Sequence, residues 1–151
     1  MLALVGFVGL CLLVGAADAA IGSVGIRHWY PSLTPPPGTP PNWVFGPVWS
    51  ALYVLMGIAG WLVWRRCGAS RPLRLWGWQL AANAVWTPFF FGLHNPVLAL
   101  ADMVVLIGLL GATIRGFHRV QPAAAGLLLP YLLWTFYAAY LNAGFWWLNR
   151  F

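Results

Sequence analysis

The sequence contains no lysine and no glutamate, and its acidic residues are limited to Asp18 and Asp102. Because a hydrolase needs a nucleophile, a base and an orienting carboxylate, this scarcity argues against hydrolytic chemistry. The only cysteines, Cys11 and Cys67, have no zinc-type spacing and predict buried thiols rather than a disulfide framework. No cluster of metal ligands stands out, so no metal site is predicted.

Charge of either sign is scarce, whereas apolar residues make up most of the chain. Only 7% of residues are charged and 62% are hydrophobic, which is typical of an integral membrane protein. A spanning helix needs about 20 mainly apolar residues, so the chain has room for five spans in one all-α membrane domain, residues 1–151. The net charge of +6 comes from arginines, which beside membrane spans favour lipid contacts over nucleic acid.

Five apolar segments are separated by polar or proline-rich stretches. They predict helices at approximately residues 2–26, 44–64, 73–93, 97–115 and 123–148. For the first segment a cleaved signal peptide is the alternative, although no basic residue precedes the apolar run. Most arginines fall on the loops after helices two and four, which the positive-inside rule places in the cytoplasm if the host is a plasma membrane. The proline-rich loop, residues 27–43, would then face outward.

The third helix has two different faces at about 100° per residue. Gly77 and Ala81 share one stripe, whereas Gln79, Asn83 and Trp86 lie on the opposite side. Small residues four apart let helices approach closely, so the stripe predicts a homodimer contact, with tight packing inside one chain as the alternative. Amide side chains are costly in hydrocarbon, so the polar face is expected to point into the bundle.

Aromatic stripes on helices two and five can meet that polar face. An apolar cavity with a few placed hydrogen-bonding groups suits a flat hydrophobic ligand. The predicted lining is Trp49, Tyr53, Asn83, Trp86, Trp134, Ala138 and Leu141. The alternative for any single tryptophan is core filling or an interfacial belt, and Trp146 and Trp147 fit the belt best.

Several sequence motifs occur together and in a fixed order along the chain. They are Trp29-Tyr30, the stretch from Pro40 to Gly57, the stretch from Gln79 to Gly92, and Leu129 to Trp134 followed by Leu141-Asn142. Over residues 27–142 the sequence resembles the tryptophan-rich sensory protein/translocator protein family.

This resemblance implies a five-helix membrane bundle, often dimeric, that binds porphyrins and haem. The expected function is therefore a multi-pass membrane receptor or sensor for a tetrapyrrole, with no obligatory cofactor. Some bacterial family members degrade protoporphyrin under light, so an enzyme with Trp49 and Trp134 as oxidisable residues is the alternative. Transport is a third possibility. The lack of lysine beside abundant alanine, glycine, proline and arginine hints at a GC-rich bacterial genome, which favours a bacterial cell envelope.

The resemblance also implies roles for individual residues. Trp49 and Trp134 match the family's pocket tryptophans, Asn83 its polar ligand contact and Ala138 a helix-five position where a small side chain matters. Gly77 and Ala81 match its dimer seam. The loop-one lid corresponds to the segment that contains Trp29, Tyr30 and Trp43.

Two departures from the family pattern affect the lid and the fifth helix. The lid has Pro35-Pro36-Pro37-Gly38-Thr39 where many relatives have a lysine and a further tryptophan, with Arg27 and His28 as possible substitutes. The proposed cholesterol motif fails, because Arg150 lies too far from Tyr137 and Tyr140.

The remaining polar residues are expected to have structural roles. Asp102 is predicted to satisfy backbone or loop donors near the start of helix four. His28, His94 and His118 lie at predicted helix ends, where an interfacial position is expected rather than haem ligation.

Overall fold

Five α-helices make up nearly all of the fold. The structure is a computed structural model that describes residues 1–150; Phe151, the last residue of the predicted domain, lies outside them. The helices are α1 (Leu2–His28), α2 (Asn42–Cys67), α3 (Arg71–Thr87), α4 (Pro96–Val120) and α5 (Pro122–Asn149). A 3-10 turn occupies Tyr30–Ser32, and a π-helical turn, Pro88–Gly92, follows α3. No strand occurs in residues 1–150.

The helices form a closed ring rather than a row. The most extensive contacts join α1 to α2, α2 to α5, α5 to α4 and α4 to α3, and the π-helical turn packs back on α1. The order around the bundle is therefore α1, α2, α5, α4, α3. The predicted all-helical class is confirmed, and the bundle centre is where the buried faces of α2, α3 and α5 meet.

Four of the five helices are long and apolar enough to cross a membrane, namely α1, α2, α4 and α5. The third helix does not meet that description. Its 17 residues extend only about 25 Å, and it carries Arg71 and Arg74 as well as the buried amides Gln79 and Asn83. The sequence predicts five similar spans, and four of the helices have the length and composition of a span. The polar face of α3 is shielded by the neighbouring helices.

The first helix is an integral part of the bundle. A Cβ atom on Gly57 of α2 would lie 2.6 Å from the Cα atom of Val8, so the two helix backbones touch there. A Cβ atom on Gly15 would lie 2.6 Å from the Tyr53 ring. Small residues at such crossings allow close backbone approach in lipid. Cys11 lies buried in this interface, as predicted, whereas Cys67 at the end of α2 is exposed, contrary to prediction.

The end of the third helix differs from the prediction, which extended it to Leu93. Pro88 has no amide hydrogen and its ring crowds the carbonyl one turn earlier, so regular α-helix ends at Thr87. The chain continues as a wider turn in which Leu93 N donates to Pro88 O at 2.8 Å. A Cβ atom on Gly25 would lie 2.7 Å from Phe91 O, which shows how closely this turn packs on α1.

Several other helix ends also differ from the prediction. Helix α4 was predicted to end at Arg115 but continues to Val120. A charged residue does not end a helix when its side chain is exposed, as Arg115 is, and the next turn still buries Phe117 in the bundle. The predicted lid boundaries are wrong at both ends, since α1 continues to His28 and α2 begins at Asn42. Trp43 therefore lies in the first turn of α2, where it is 74% exposed.

Candidate functional site

A single buried amide joins three helices at the bundle centre. The Tyr53 hydroxyl on α2 donates to Asn83 Oδ1 on α3 at 2.6 Å. Asn83 Nδ2 in turn donates to the Tyr131 hydroxyl on α5 at 2.8 Å. Both polar ends of Asn83 are thus satisfied inside an apolar bundle, where an unpaired amide would be costly. The prediction that the Asn83 face points inward is confirmed.

Of the two carboxylates of the chain, one extends this polar group to α1. Asp18 Oδ2 on α1 lies 3.2 Å from the Tyr53 hydroxyl. Asp102 on α4 is half-buried, and its buried Oδ2 has no hydrogen-bond partner. Hydrogen bonds thus link side chains from α1, α2, α3 and α5, and we call this set the polar core: Asp18, Tyr53, Asn83 and Tyr131.

Three side chains within residues 1–150 have buried polar atoms without a hydrogen-bond partner. They are Gln79, through both Oε1 and Nε2, Asp102, through Oδ2, and Trp134, through Nε1. The expectation that Asp102 satisfies donors at the start of α4 is wrong, because Asn95 does so by accepting from Leu98 N at 3.0 Å. Unpaired buried polar atoms are rare in proteins, and each one calls for a partner such as a water, an ion or a ligand.

Aromatic rings lie next to the polar core on the side of the proline-rich segment, residues 33–41. The Trp49 ring lies 5.7 Å from the Tyr53 ring and 6.2 Å from the Tyr131 ring, measured between centroids. Trp134 packs against Phe45 with centroids 6.1 Å apart. The structure thus brings together the predicted pocket residues Trp49, Tyr53, Asn83 and Trp134.

The other predicted pocket residues belong to neighbouring clusters. Trp86 Nε1 donates to Asn142 Oδ1 at 3.0 Å, and its ring stacks on Phe90 with centroids 5.1 Å apart. Leu141 is buried with Phe90, whereas Ala138 packs on a small cluster between α3 and α4. These three residues therefore extend the site from the polar core toward the π-helical turn.

The proline-rich segment, residues 33–41, lies over α5 and is fastened to it along its length. Asn149 Oδ1 accepts from Thr34 N at 2.8 Å, and the Tyr140 hydroxyl donates to Pro37 O at 2.8 Å. The Tyr137 hydroxyl donates to Gly38 O. We call this segment the lid. Gly38 has a φ of +82°, which favours glycine.

A close approach of the backbone completes the lid contact. A Cβ atom on Gly144 of α5 would lie 2.5 Å from the Pro36 side chain, so the absence of a side chain at Gly144 lets Pro36 be buried there. The predicted lid residues Trp29 and Tyr30 lie just before this segment. Trp29 stacks on His94 with centroids 4.5 Å apart, and Tyr30 packs on Phe145 at 5.1 Å. They anchor the start of the lid to the top of the bundle.

The small-residue stripe of α3 faces away from the bundle. Gly77 and Ala81 are both exposed, and a Cβ atom on Gly77 would have no atom within 4 Å. The neighbouring Trp78 is 66% exposed. The alternative prediction, that this stripe packs tightly inside one chain, is therefore wrong.

The histidines and the first arginine lie at the ends of helices. His28 and His118 are exposed in the last turns of α1 and α4, and His94 is exposed with a φ of 52° before α4. Arg27 is also exposed, and its Nε donates to Ser23 O at 3.1 Å. Among residues 1–150, no three His, Cys or Asp side chains lie close enough together to hold a metal ion.

Comparison with known proteins agrees with this architecture. A family model described as the TspO/MBR family matches residues 7–148. The chain belongs to this family. It is similar to the translocator protein of Bos taurus, with 40% identity over 147 residues that cover 94% of this chain and 87% of that protein.

Bacterial members of the TspO/MBR family are similar as well. The tryptophan-rich protein TspO of Chlorobaculum tepidum is 37% identical over 139 residues, covering 89% of this chain and 88% of that protein. The tryptophan-rich sensory protein of Cereibacter sphaeroides is 39% identical over 115 residues, covering 76% and 73% respectively. With its long apolar helices, the chain is therefore an integral multi-pass membrane protein of this family.

Sequence reasoning missed several residues that organise the site. Tyr131 was not singled out, although its hydroxyl completes the bridge through Asn83. The sequence also does not identify Tyr53 as the partner of Asp18 or Trp86 as the partner of Asn142. The sequence also gives no indication that Asn149 accepts a hydrogen bond from the lid backbone at Thr34. The available signal was that a polar side chain in an apolar helix needs a partner, but the sequence does not say which one.

Tyr131→Phe is expected to lower the free energy of unfolding by about 1–3 kcal/mol, because it leaves Asn83 Nδ2 buried without an acceptor. The matched control is Thr135→Val, one turn away, whose hydroxyl donates only to Tyr131 O within the same helix. Titration with sodium dodecyl sulfate in mixed micelles measures both. If Tyr131→Phe costs no more than Thr135→Val, the bridge does not stabilise the bundle.

Proposed function

We propose that the protein is a membrane receptor or sensor that binds a flat hydrophobic ligand, such as a porphyrin or haem, beneath the lid. The observation that carries the proposal is the buried Trp134 N–H group, which has no acceptor within residues 1–150. A buried donor that lacks a partner is destabilising unless a ligand or water supplies an acceptor. Trp134 lies beside the lid, where such a ligand would enter.

The chemistry around Trp134 suits an aromatic ligand. The Phe45 and Tyr137 rings lie 6.1 Å and 5.3 Å from the Trp134 ring and offer stacking surfaces. Flat aromatic groups gain both apolar burial and favourable ring contacts in such surroundings. The Asn83 amide beneath them can hydrogen-bond a polar group of the ligand if its bond to a tyrosine is exchanged.

Ligand entry requires the lid to move, since the aromatic side chains now contact one another. The lid is held by hydrogen bonds at its surface, such as those from Tyr140 and Asn149 to its backbone, and by Pro36 against Gly144. Water can replace such bonds at little cost, so opening is expected without unfolding of the bundle. The exposed Arg27 and His28 precede the lid and can pair with a ligand carboxylate at its rim. A change in lid position is then the signal that a sensor needs.

Light-dependent porphyrin degradation is a second candidate, favoured by a specific arrangement of rings. Trp134, Tyr137 and Tyr140 follow one another with centroid distances of 5.3 Å and 6.5 Å, and Tyr140 is exposed. In this reading the excited porphyrin takes an electron from Trp134, Tyr137 and Tyr140 pass an electron back to it, and a soluble one-electron reductant restores Tyr140 at the surface.

We further propose that two copies of the chain associate through the outward stripe of α3. Gly77→Leu should convert a dimer into a monomer, because a large side chain would separate helices that touch at this point. The control is Gly108→Leu on α4, another exposed glycine with no atom within 4 Å of its Cβ position. The mass in detergent, from light scattering, measures the outcome. A wild-type monomer, or a Gly77→Leu dimer, contradicts this proposal.

Protoporphyrin is expected to quench tryptophan fluorescence with saturation. Replacement of both Trp49 and Trp134 by Phe should weaken binding about tenfold, from the loss of ring contacts and of the indole donor. The control is Trp78→Phe with Trp147→Phe, because both of these rings face outward. No saturable quenching, or equal affinities for the two double variants, contradicts the binding proposal.

The same complex distinguishes a receptor from an enzyme. Under illumination with saturating protein, loss of the porphyrin absorption band in wild type but not in Trp134→Phe supports degradation. Persistence of the band in both, at equal occupancy, leaves the receptor function alone.

A further inference from the structure

A groove separate from the aromatic site runs between α4 and α5 at the end where the two helices are joined by Gln121. Its volume is about 680 Å³. Gly111 and Gly126 leave it wide, since a Cβ atom on either would have no atom within 4 Å. The lid and the aromatic rings lie toward the opposite ends of these helices, so this groove belongs to a different surface of the bundle.

The polarity of the groove changes with depth along the helices. Arg115, His118 and Arg119 line it within the last two turns of α4. Leu129 and Leu132 line its deeper part on α5, where Leu132 lies ten residues beyond Pro122. At 1.5 Å per residue, Leu132 is about 15 Å below the helix start. Cations at the membrane edge above an apolar wall match the chemistry of an anionic lipid.

The positive charge at this groove is not balanced by the protein. The only acidic side chains, Asp18 and Asp102, lie within the spans of α1 and α4. Asp102 is thirteen residues before Arg115, which is more than three helical turns away. Arg65 and Arg66 line a second, smaller groove beside Gln121, so further cations surround the same helix connection. An external anion is therefore electrostatically favoured here.

The side of the membrane on which the groove lies also favours an anionic lipid. The arginines at this end outnumber those at the lid end, which has only Arg27 and Arg150. In a plasma membrane the positive-inside rule places the richer end in the cytoplasm. Anionic phospholipids give the cytoplasmic leaflet its negative surface potential, and basic pockets between transmembrane helices on that side bind lipid head groups.

We propose that the α4–α5 groove is a binding site for an anionic phospholipid. Its phosphate pairs with Arg115 and Arg119, and an acyl chain lies along Ile114, Leu129 and Leu132. This site is independent of the ligand beneath the lid, so it can be present whether or not the protein binds porphyrins.

The test measures thermal unfolding of the full chain in dodecyl maltoside micelles that contain increasing fractions of phosphatidylglycerol. A saturable rise in the unfolding temperature reports binding to the folded state. Arg115→Gln with Arg119→Gln should raise the lipid fraction at half-maximal effect by roughly thirtyfold, as follows from the usual contribution of each basic residue beside an anionic lipid surface. Phosphatidylcholine should produce no saturable rise.

The matched control is Arg71→Gln with Arg74→Gln, which removes two charges at the same end but outside the groove. It should leave the lipid response within about twofold of wild type, since charge alone is not the determinant. Equal weakening of both double variants would show a diffuse electrostatic effect and overturn the proposal. Equal stabilisation by phosphatidylcholine, or by soluble glycerol phosphate, would overturn it as well.

A second variant keeps the test decisive if the double arginine variant does not fold. Gly126→Leu places a side chain in the groove without removing charge, and no neighbouring atom obstructs it. Reduced phosphatidylglycerol response in Gly126→Leu supports occupancy of the groove. An unchanged response would mean that the lipid binds elsewhere.

Discussion

The bridge through the Asn83 amide is the constraint on which the rest of the structure depends. An amide in a membrane bundle must find a donor and an acceptor, and here they come from two tyrosines on different helices. This fixes how α2, α3 and α5 are rotated about their own axes. Once Tyr53 and Tyr131 point at Asn83, Trp49 on the adjoining turn is held against both tyrosine rings.

The same bridge explains why the aromatic site and the lid occupy one end of the bundle. The α5 turns that follow Tyr131 present Trp134 and Tyr137 in succession, and Tyr137 reaches the lid backbone. A rigid polar core thus lies beneath a segment held by more exposed hydrogen bonds. The proposed receptor function needs such a difference, because a hydrophobic ligand can enter only if the lid moves while the helices keep their positions.

Much of this arrangement could be predicted from the sequence, because helical periodicity assigns side chains to faces. It placed Asn83 opposite Gly77, and the structure has the first buried and the second exposed. It could not assign partners, since Asn83 and Tyr131 are 48 residues apart and many rotations of α5 satisfy the same apolar pattern. The Asn142 amide is a similar case, because its contact with Trp86 depends on the register between α3 and α5.

Other features depend on local backbone chemistry that apolar patterns do not capture. Pro88 changed the end of α3 into a π-helical turn, although apolar residues continue to Leu93. The lid was recognised as non-helical from its prolines, but its course over α5 was not predicted. That course depends on Gly144, which accommodates Pro36, and on Asn149, which lies 115 residues from its partner Thr34.

In the proposed function, the unpaired Trp134 indole is where a flat ligand meets the protein. The most direct measurement is the ¹⁵N-resolved NMR signal of the Trp134 indole N–H, assigned with Trp134→Phe, before and after addition of protoporphyrin. This proton is expected to shift to lower field and to exchange more slowly, because the ligand supplies an acceptor for it. The Trp76 indole, which already donates to Met56 O at 3.0 Å, should stay unchanged. Binding of protoporphyrin with no change in the Trp134 signal would contradict a ligand contact at this indole.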